Sequence, residues 1–241
     1  MAFYDNYVSR RITGVGYSLK KKLNVKFYEK SLVDFNKKGL KILEVGVGRG
    51  LFAEKCILEG NDYTGIEPNL NMYNELISKK LNIIQTSCPP IPFDDNTFDF
   101  VFCGYLLDSL PDPLTAYNMI EECKRVLKPG GRISVACHDF MKLGKEFFNI
   151  GYMNNFVTTK RRIMQIFFDA GIVYNRSYFF TGVFFNFLRH LINIFWFFYR
   201  YEVYMTIGKL IREKRSVDRR TFKIRASFAP GIMVIGNKKN E

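Results

Sequence analysis

The chain is poor in histidine, with two among 241 residues, and none of its five cysteines forms a C-x-x-C pair. A zinc site of the usual ligand type is therefore not expected, and no metal is assigned. Cys56, Cys88, Cys103, Cys123 and Cys137 read as reduced, mostly buried thiols of an intracellular protein. Eight prolines and 18 glycines are too few for a fibrous chain, and 47% hydrophobic residues are too many for a disordered one. The N-terminal MAFYDNYVSRR has no apolar h-region, so no secretory signal is expected. No uncharged apolar run reaches the ~20 residues of a membrane-spanning helix.

Acidic side chains are also in short supply, 23 against 36 basic, for a net charge of +13. The imbalance is uneven: residues 1–26 carry +5, 27–139 carry −4 and 140–225 carry +11. A mildly acidic centre between two basic flanks points to an acidic partner, either an anionic membrane surface or nucleic acid.

The centre is a run of strand–turn–helix units. Short apolar segments at 41–46, 62–67, 82–86, 98–103 and 132–137 read as strands. Amphipathic segments at 51–59, 69–79 and 114–127 read as helices, with Asn69 as a cap. Lys128-Pro129-Gly130-Gly131 reads as the turn between the last helix and the fifth strand. Upstream, 18–38 has helical spacing with Gly39 as its stop. Downstream, Thr158 or Thr159 caps a helix over 160–169, and strands follow at 172–178 and 231–239. This alternation implies right-handed crossovers, and so an α/β, doubly wound, mostly parallel sheet of seven strands in a single domain. Residues 1–38 would form a helical cap, 39–138 the ligand-binding core and 179–225 an insertion before the last strand.

The strongest local signal is ILEVGVGRG (42–50). Gly46, Gly48 and Gly50 lie where the first strand turns into the first helix, at the crevice where open α/β sheets bind ligands. The spacing is neither that of a dinucleotide fingerprint nor that of a phosphate loop. Glu44, just before the glycines, would repel a pyrophosphate and pair with a cation. Glu67 ends the second strand, where a carboxylate can accept from both hydroxyls of a ribose.

ILEVGVGRG, TGIEPN (64–69), IPFDDNTFDFVFC (91–103) and KRVLKPGGRISVA (124–136), in that order, resemble the class I S-adenosylmethionine-dependent methyltransferases. The likeness is closest to the small-molecule group that includes the quinone-ring methylating enzymes. It implies a Rossmann-like methyltransferase fold with S-adenosyl-L-methionine as methyl donor. It also implies that Glu44, Gly46, Gly48 and Gly50 hold the methionine and ribose portion, that Glu67 binds the ribose diol, and that Pro68 and Asn69 lie near the adenine. Ser87 and Cys88 fall where the family often has an adenine-binding polar residue, and Cys103, Gly104 and Tyr105 fall beside the methyl group. Where family members often carry a histidine pair, this chain has Asp108 and Ser109, so no histidine base is given by the motif. Tyr105, Asp108 and His138 are the candidate catalytic residues. Asp108 reads equally as a solvated helix-start carboxylate, and His138 as a rim residue without chemistry.

Residues 178–204 hold 13 aromatics, with Asn186, Arg189, His190, Asn193 and Arg200 at helical spacing. A core helix reads this way, and so does a helix lying at a membrane interface beside the basic run 209–225. The expectation is a methyltransferase with a small, apolar acceptor, cytoplasmic and peripheral on the inner face of a membrane. An RNA methyltransferase and a non-catalytic S-adenosylmethionine-binding protein are the alternatives.

Overall fold

A computed structural model describes residues 14–36, 38–150, 154–185 and 229–240. Expectations for the stripe from Asn186 to Arg200 and for the basic run 209–225 lie outside these residues.

The apolar runs pair as their composition requires. β1 (Lys41–Val45) lies between β2 (Asp62–Ile66) and β4 (Phe98–Gly104), parallel to both. β3 (Ile83–Ile84) adds to β2, and β5 (Leu127–His138) adds to β4, also in parallel. β8 (Pro230–Lys238) runs antiparallel between β5 and β6 (Ile172–Thr181), and β7 (Phe184–Phe185) turns back along β6. The order is β3-β2-β1-β4-β5-β8-β6-β7. The sheet thus has eight strands, not seven.

Period-two alternation divides the apolar residues between two cores. Val101, Cys103, Val135 and Val234 face α4 (Pro113–Val126) and α7 (Lys160–Asp169). Ile42, Phe100, Phe102 and Met233 face α1 (Val15–Ser31), α2 (Leu51–Leu58) and α3 (Leu70–Ser78). Both faces are covered, as near-continuous apolar strands demand. Asn69 caps α3 and Thr159 caps α7. Asp112, which the sequence reading passed over, caps α4 through the amide of Thr115 at 2.8 Å.

Four boundaries move for identifiable reasons. α1 stops at Ser31, well before Gly39, because Arg132 of β5 donates to the carbonyls of Ser31 (3.1 Å) and Val33 (2.7 Å). β5 begins at Leu127, and Lys128-Pro129-Gly130-Gly131 forms a bulge within it: Phe98 pairs with Leu127 while Phe100 pairs with Arg132. A Cβ on Gly131 would stand 2.7 Å from the Lys128 carbonyl, so the bulge requires glycine there. β3 keeps two residues because its partner β2 ends at Ile66. Finally, residues 179–181 continue β6 instead of opening the insertion. Phe180 is buried in the α1-side core and pairs with Gly231, where any Cβ would meet its ring at 2.3 Å.

Candidate functional site

At the carboxyl end of β1 the chain makes the turn that its glycines permit. Gly46, Gly48 and Gly50 have φ of 79°, 58° and 73°, the left-handed region that a side chain disfavours. The loop is pinned from below, with the amides of Gly46 and Val47 donating to the Ile66 carbonyl at 2.9 and 3.2 Å. Its glycines do different work. A Cβ on Gly50 would come within 2.8 Å of both Leu76 and Leu81, so this glycine packs α2 against α3. A Cβ on Gly48 would meet nothing within 4 Å, which leaves open space against the loop backbone.

Glu67 stands beside that space. One carboxylate oxygen accepts from the Gly48 amide at 2.9 Å, the other from the Asn69 amide at 3.0 Å. Burial pushes its carboxyl upward, and the two amides pull it back. Each oxygen keeps a second acceptor direction, so the group is fixed in position with hydrogen-bonding capacity to spare.

Glu44 lies deeper, 3% exposed, on the sheet face covered by α1 and α2. It accepts from the Tyr63 hydroxyl at 2.5 Å. Burial pushes its carboxyl up to about 8 and the Glu67 charge adds to that, while the Tyr63 hydrogen bond works the other way. Tyr63 was missed in the sequence. Its signal is a hydroxyl-bearing ring at an inward position of β2, on the strand next to a buried acid.

Pro68 and Ser87 are exposed on the loops after β2 and β3. Cys88 is half-buried against the α4-side core, where burial and then the neighbouring Cys103 and Glu122 push its thiol up to about 12. The Cys103 sulfur lies 3.7 Å from that of Cys123 in the same core. Its side chain thus packs against α4, and Gly104 and Tyr105 continue the chain past it at the end of β4.

The three candidate catalytic residues come together. Asp108, in the 3-10 turn Leu107–Ser109, is 1% exposed, which overturns its reading as a solvated carboxylate. Its Oδ2 lies 2.6 Å from His138 Nδ1 and accepts the His138 amide at 3.2 Å. The Tyr105 ring packs on the His138 ring with centroids 4.7 Å apart. Burial first, and then Asp108 and Cys137, push the Tyr105 phenol upward, so it stays protonated. Thr158 donates to the His138 carbonyl at 2.7 Å, and Phe147 meets the imidazole edge-on at 6.4 Å. These two supports lie 20 and 9 residues from His138 and carried no sequence signal.

The family described as "Methyltransferase domain" matches residues 43–135. A demethylmenaquinone methyltransferase of Staphylococcus aureus is 33% identical over 105 residues, 40% of this chain and 42% of that protein. The match thus spans about two fifths of that relative's length. Among solved structures, the complex with the Haloferax volcanii Trm112 methyltransferase activator contains a chain with TM-score 0.64 and 15% identity, covering 90% of this chain and 89% of that one. A Haemonchus contortus phosphoethanolamine N-methyltransferase, solved with phosphomonomethylethanolamine and S-adenosylhomocysteine, has TM-score 0.63 and 15% identity, over 90% of this chain and 52% of that one. These structures establish a shared fold.

Proposed function

We propose that the protein is an S-adenosylmethionine-dependent methyltransferase acting on a small, apolar acceptor, a reading that the family match over residues 43–135 supports. The observation that carries the reading is the pairing of Gly48 and Glu67: a bare loop backbone facing open space, with a buried, doubly anchored carboxylate beside it. This suits a ligand that joins a ribose to a bulky sulfonium. Glu67 would accept from the ribose diol, and the loop would admit the ligand backbone-close, above the buried carboxyl of Glu44. When bound, that ligand offers a methyl group on a positively charged sulfur. What remains for the chain is to align the acceptor and exclude water.

An apolar acceptor is supported by the aromatic surroundings of His138 and by the name of the Staphylococcus aureus relative. Peripheral association with an anionic membrane is supported by the surface between α5 (Phe140–Leu143) and α7. There Met141 and Phe168, 74% and 83% exposed, share a cleft with Lys142, Lys160 and Arg161. Exposed apolar side chains beside cations are the chemistry of an interfacial site. No described helix is long and apolar enough to cross a membrane.

Titration calorimetry of S-adenosylmethionine into wild type and Glu67→Ala tests the reading. The expected result is micromolar binding that the substitution weakens ~10- to 150-fold, equivalent to ~1.5–3 kcal/mol for a hydrogen bond to a charged group. Absence of binding to the wild type would reduce the glycine loop to a strand–helix turn. Binding without methyl transfer to any lipid or RNA fraction would favour the non-catalytic alternative.

A further inference from the structure

We infer that His138 is the base that takes the acceptor's proton, that Asp108 is its positioning residue, and that the acceptor is therefore a phenol or quinol. This rests on the methyltransferase reading above and adds the substrate class. The pair joins two stretches of chain 30 residues apart. A carboxylate with 1% exposure is costly unless it is paired, and Asp108 directs one oxygen at both the ring Nδ1 and the backbone amide of His138. The Asp108 carbonyl accepts in turn from the amides of Asn155 (3.0 Å) and Phe156 (3.3 Å), which fixes the turn that presents it.

A carboxylate can only accept, so Nδ1 carries the hydrogen and the lone pair of the neutral ring sits on Nε2. Among the described residues no hydrogen bond reaches Nε2, and the side chain keeps 13% of its surface open. The ring is held between Tyr105 and Phe147, so Nε2 has a fixed direction. This is the arrangement of a base oriented by a third group.

The substrate class follows from matching acidities. Thiols, ammonium groups and phenols all titrate near ~8–11, within reach of an imidazole, whereas an unactivated hydroxyl near ~15.7 is not; of these the phenol is the flat aromatic group that suits the rings of Tyr105 and Phe147 around His138. In the step, the hydroxyl proton moves to Nε2. An electron pair on the phenolate oxygen forms the bond to the methyl carbon. The carbon–sulfur bond breaks with its pair left on sulfur, which becomes a neutral thioether, and the imidazolium returns its proton to water.

The two-histidine composition makes the tautomer directly observable. In long-range nitrogen–proton spectra of the neutral protein, with His190→Gln removing the other imidazole, His138 is expected as the Nδ1–H tautomer. Asp108→Ala is expected to release it toward Nε2–H. If that variant does not fold, the wild-type spectrum alone decides, because an Nε2–H ring there overturns the inference. The substrate class is read with 4-nitrophenol as probe, titrated into protein saturated with S-adenosylhomocysteine below the probe's own titration. Wild type is expected to raise the phenolate absorbance over buffer, and His138→Gln to lose that rise. A wild type without the rise, or a variant that keeps it, overturns the base assignment. Calorimetric binding of S-adenosylmethionine should be unchanged in His138→Gln. Absent binding in wild type would sink the methyltransferase reading instead, and the tautomer result would stand apart from it.

Discussion

Replacing Glu44 with glutamine should change how stability depends on pH, and the structure sets both sign and size. Glu44 is almost wholly buried, accepts from Tyr63 at 2.5 Å and has its carboxyl pushed up to about 8 by burial. In the unfolded chain a glutamate ionises near ~4.3, so between those values the native state holds a proton that the unfolded state has lost. Stability from this group is fully present below ~4.3 and falls as pH rises, by ~1.4 kcal/mol per pH unit, until the native carboxyl ionises near 8. Between pH 6 and 8 the wild type should therefore lose ~2–3 kcal/mol from Glu44. For a chain of this size that is a fall of roughly 5–10 °C in Tm. Glutamine keeps an acceptor for Tyr63 and cannot titrate. Its buried amide adds a constant cost of ~1–3 kcal/mol, which shifts the curve without tilting it. Glu67, also raised by burial, has the same sign. The assay is urea unfolding at constant m-value across pH 6 to 9. Parallel profiles for wild type and Glu44→Gln would refute the reasoning, since they would mean that Glu44 is ionised in both states.

Other substitutions separate packing from ligand binding. Gly48→Ala places a side chain at φ 58° but meets no neighbour, so it should cost only ~1–2 kcal/mol of stability while weakening S-adenosylmethionine binding by calorimetry. Gly50→Ala adds a clash with Leu76 and Leu81 to the same backbone strain, and should lose a further ~1–3 kcal/mol in denaturant unfolding. Tyr63→Phe strips Glu44 of its described donor and should destabilise by ~1–3 kcal/mol, with the loss greatest above pH 8, where Glu44 is charged. Asp112→Ala removes the cap of α4 at a cost of ~1 kcal/mol, seen as a lower urea midpoint with S-adenosylmethionine affinity unchanged.

Local periodicity and turn chemistry were enough to read the parallel sheet, the glycine turn and the acid after β2 directly from the sequence. They depend on residues a few positions apart: Gly46, Gly48 and Gly50 need only their own backbone angles, and Asn69 needs only the amide of Met72. Contacts between distant segments were not legible in that way. Arg132 ends a helix about a hundred residues upstream, Phe180 extends β6 because Gly231 makes room for it, and Tyr63 reaches Glu44 across neighbouring strands. The clearest case is Asp108 and His138. Singly, each reads equally as a catalytic candidate or as a residue without chemistry, and nothing in either neighbourhood signals the other. Only the parallel pairing of β4 with β5 brings the turn after one strand against the end of the next, close enough for a buried carboxylate to hold an imidazole at 2.6 Å. Burial and partner decide what a titratable group can do, and both belong to the tertiary fold.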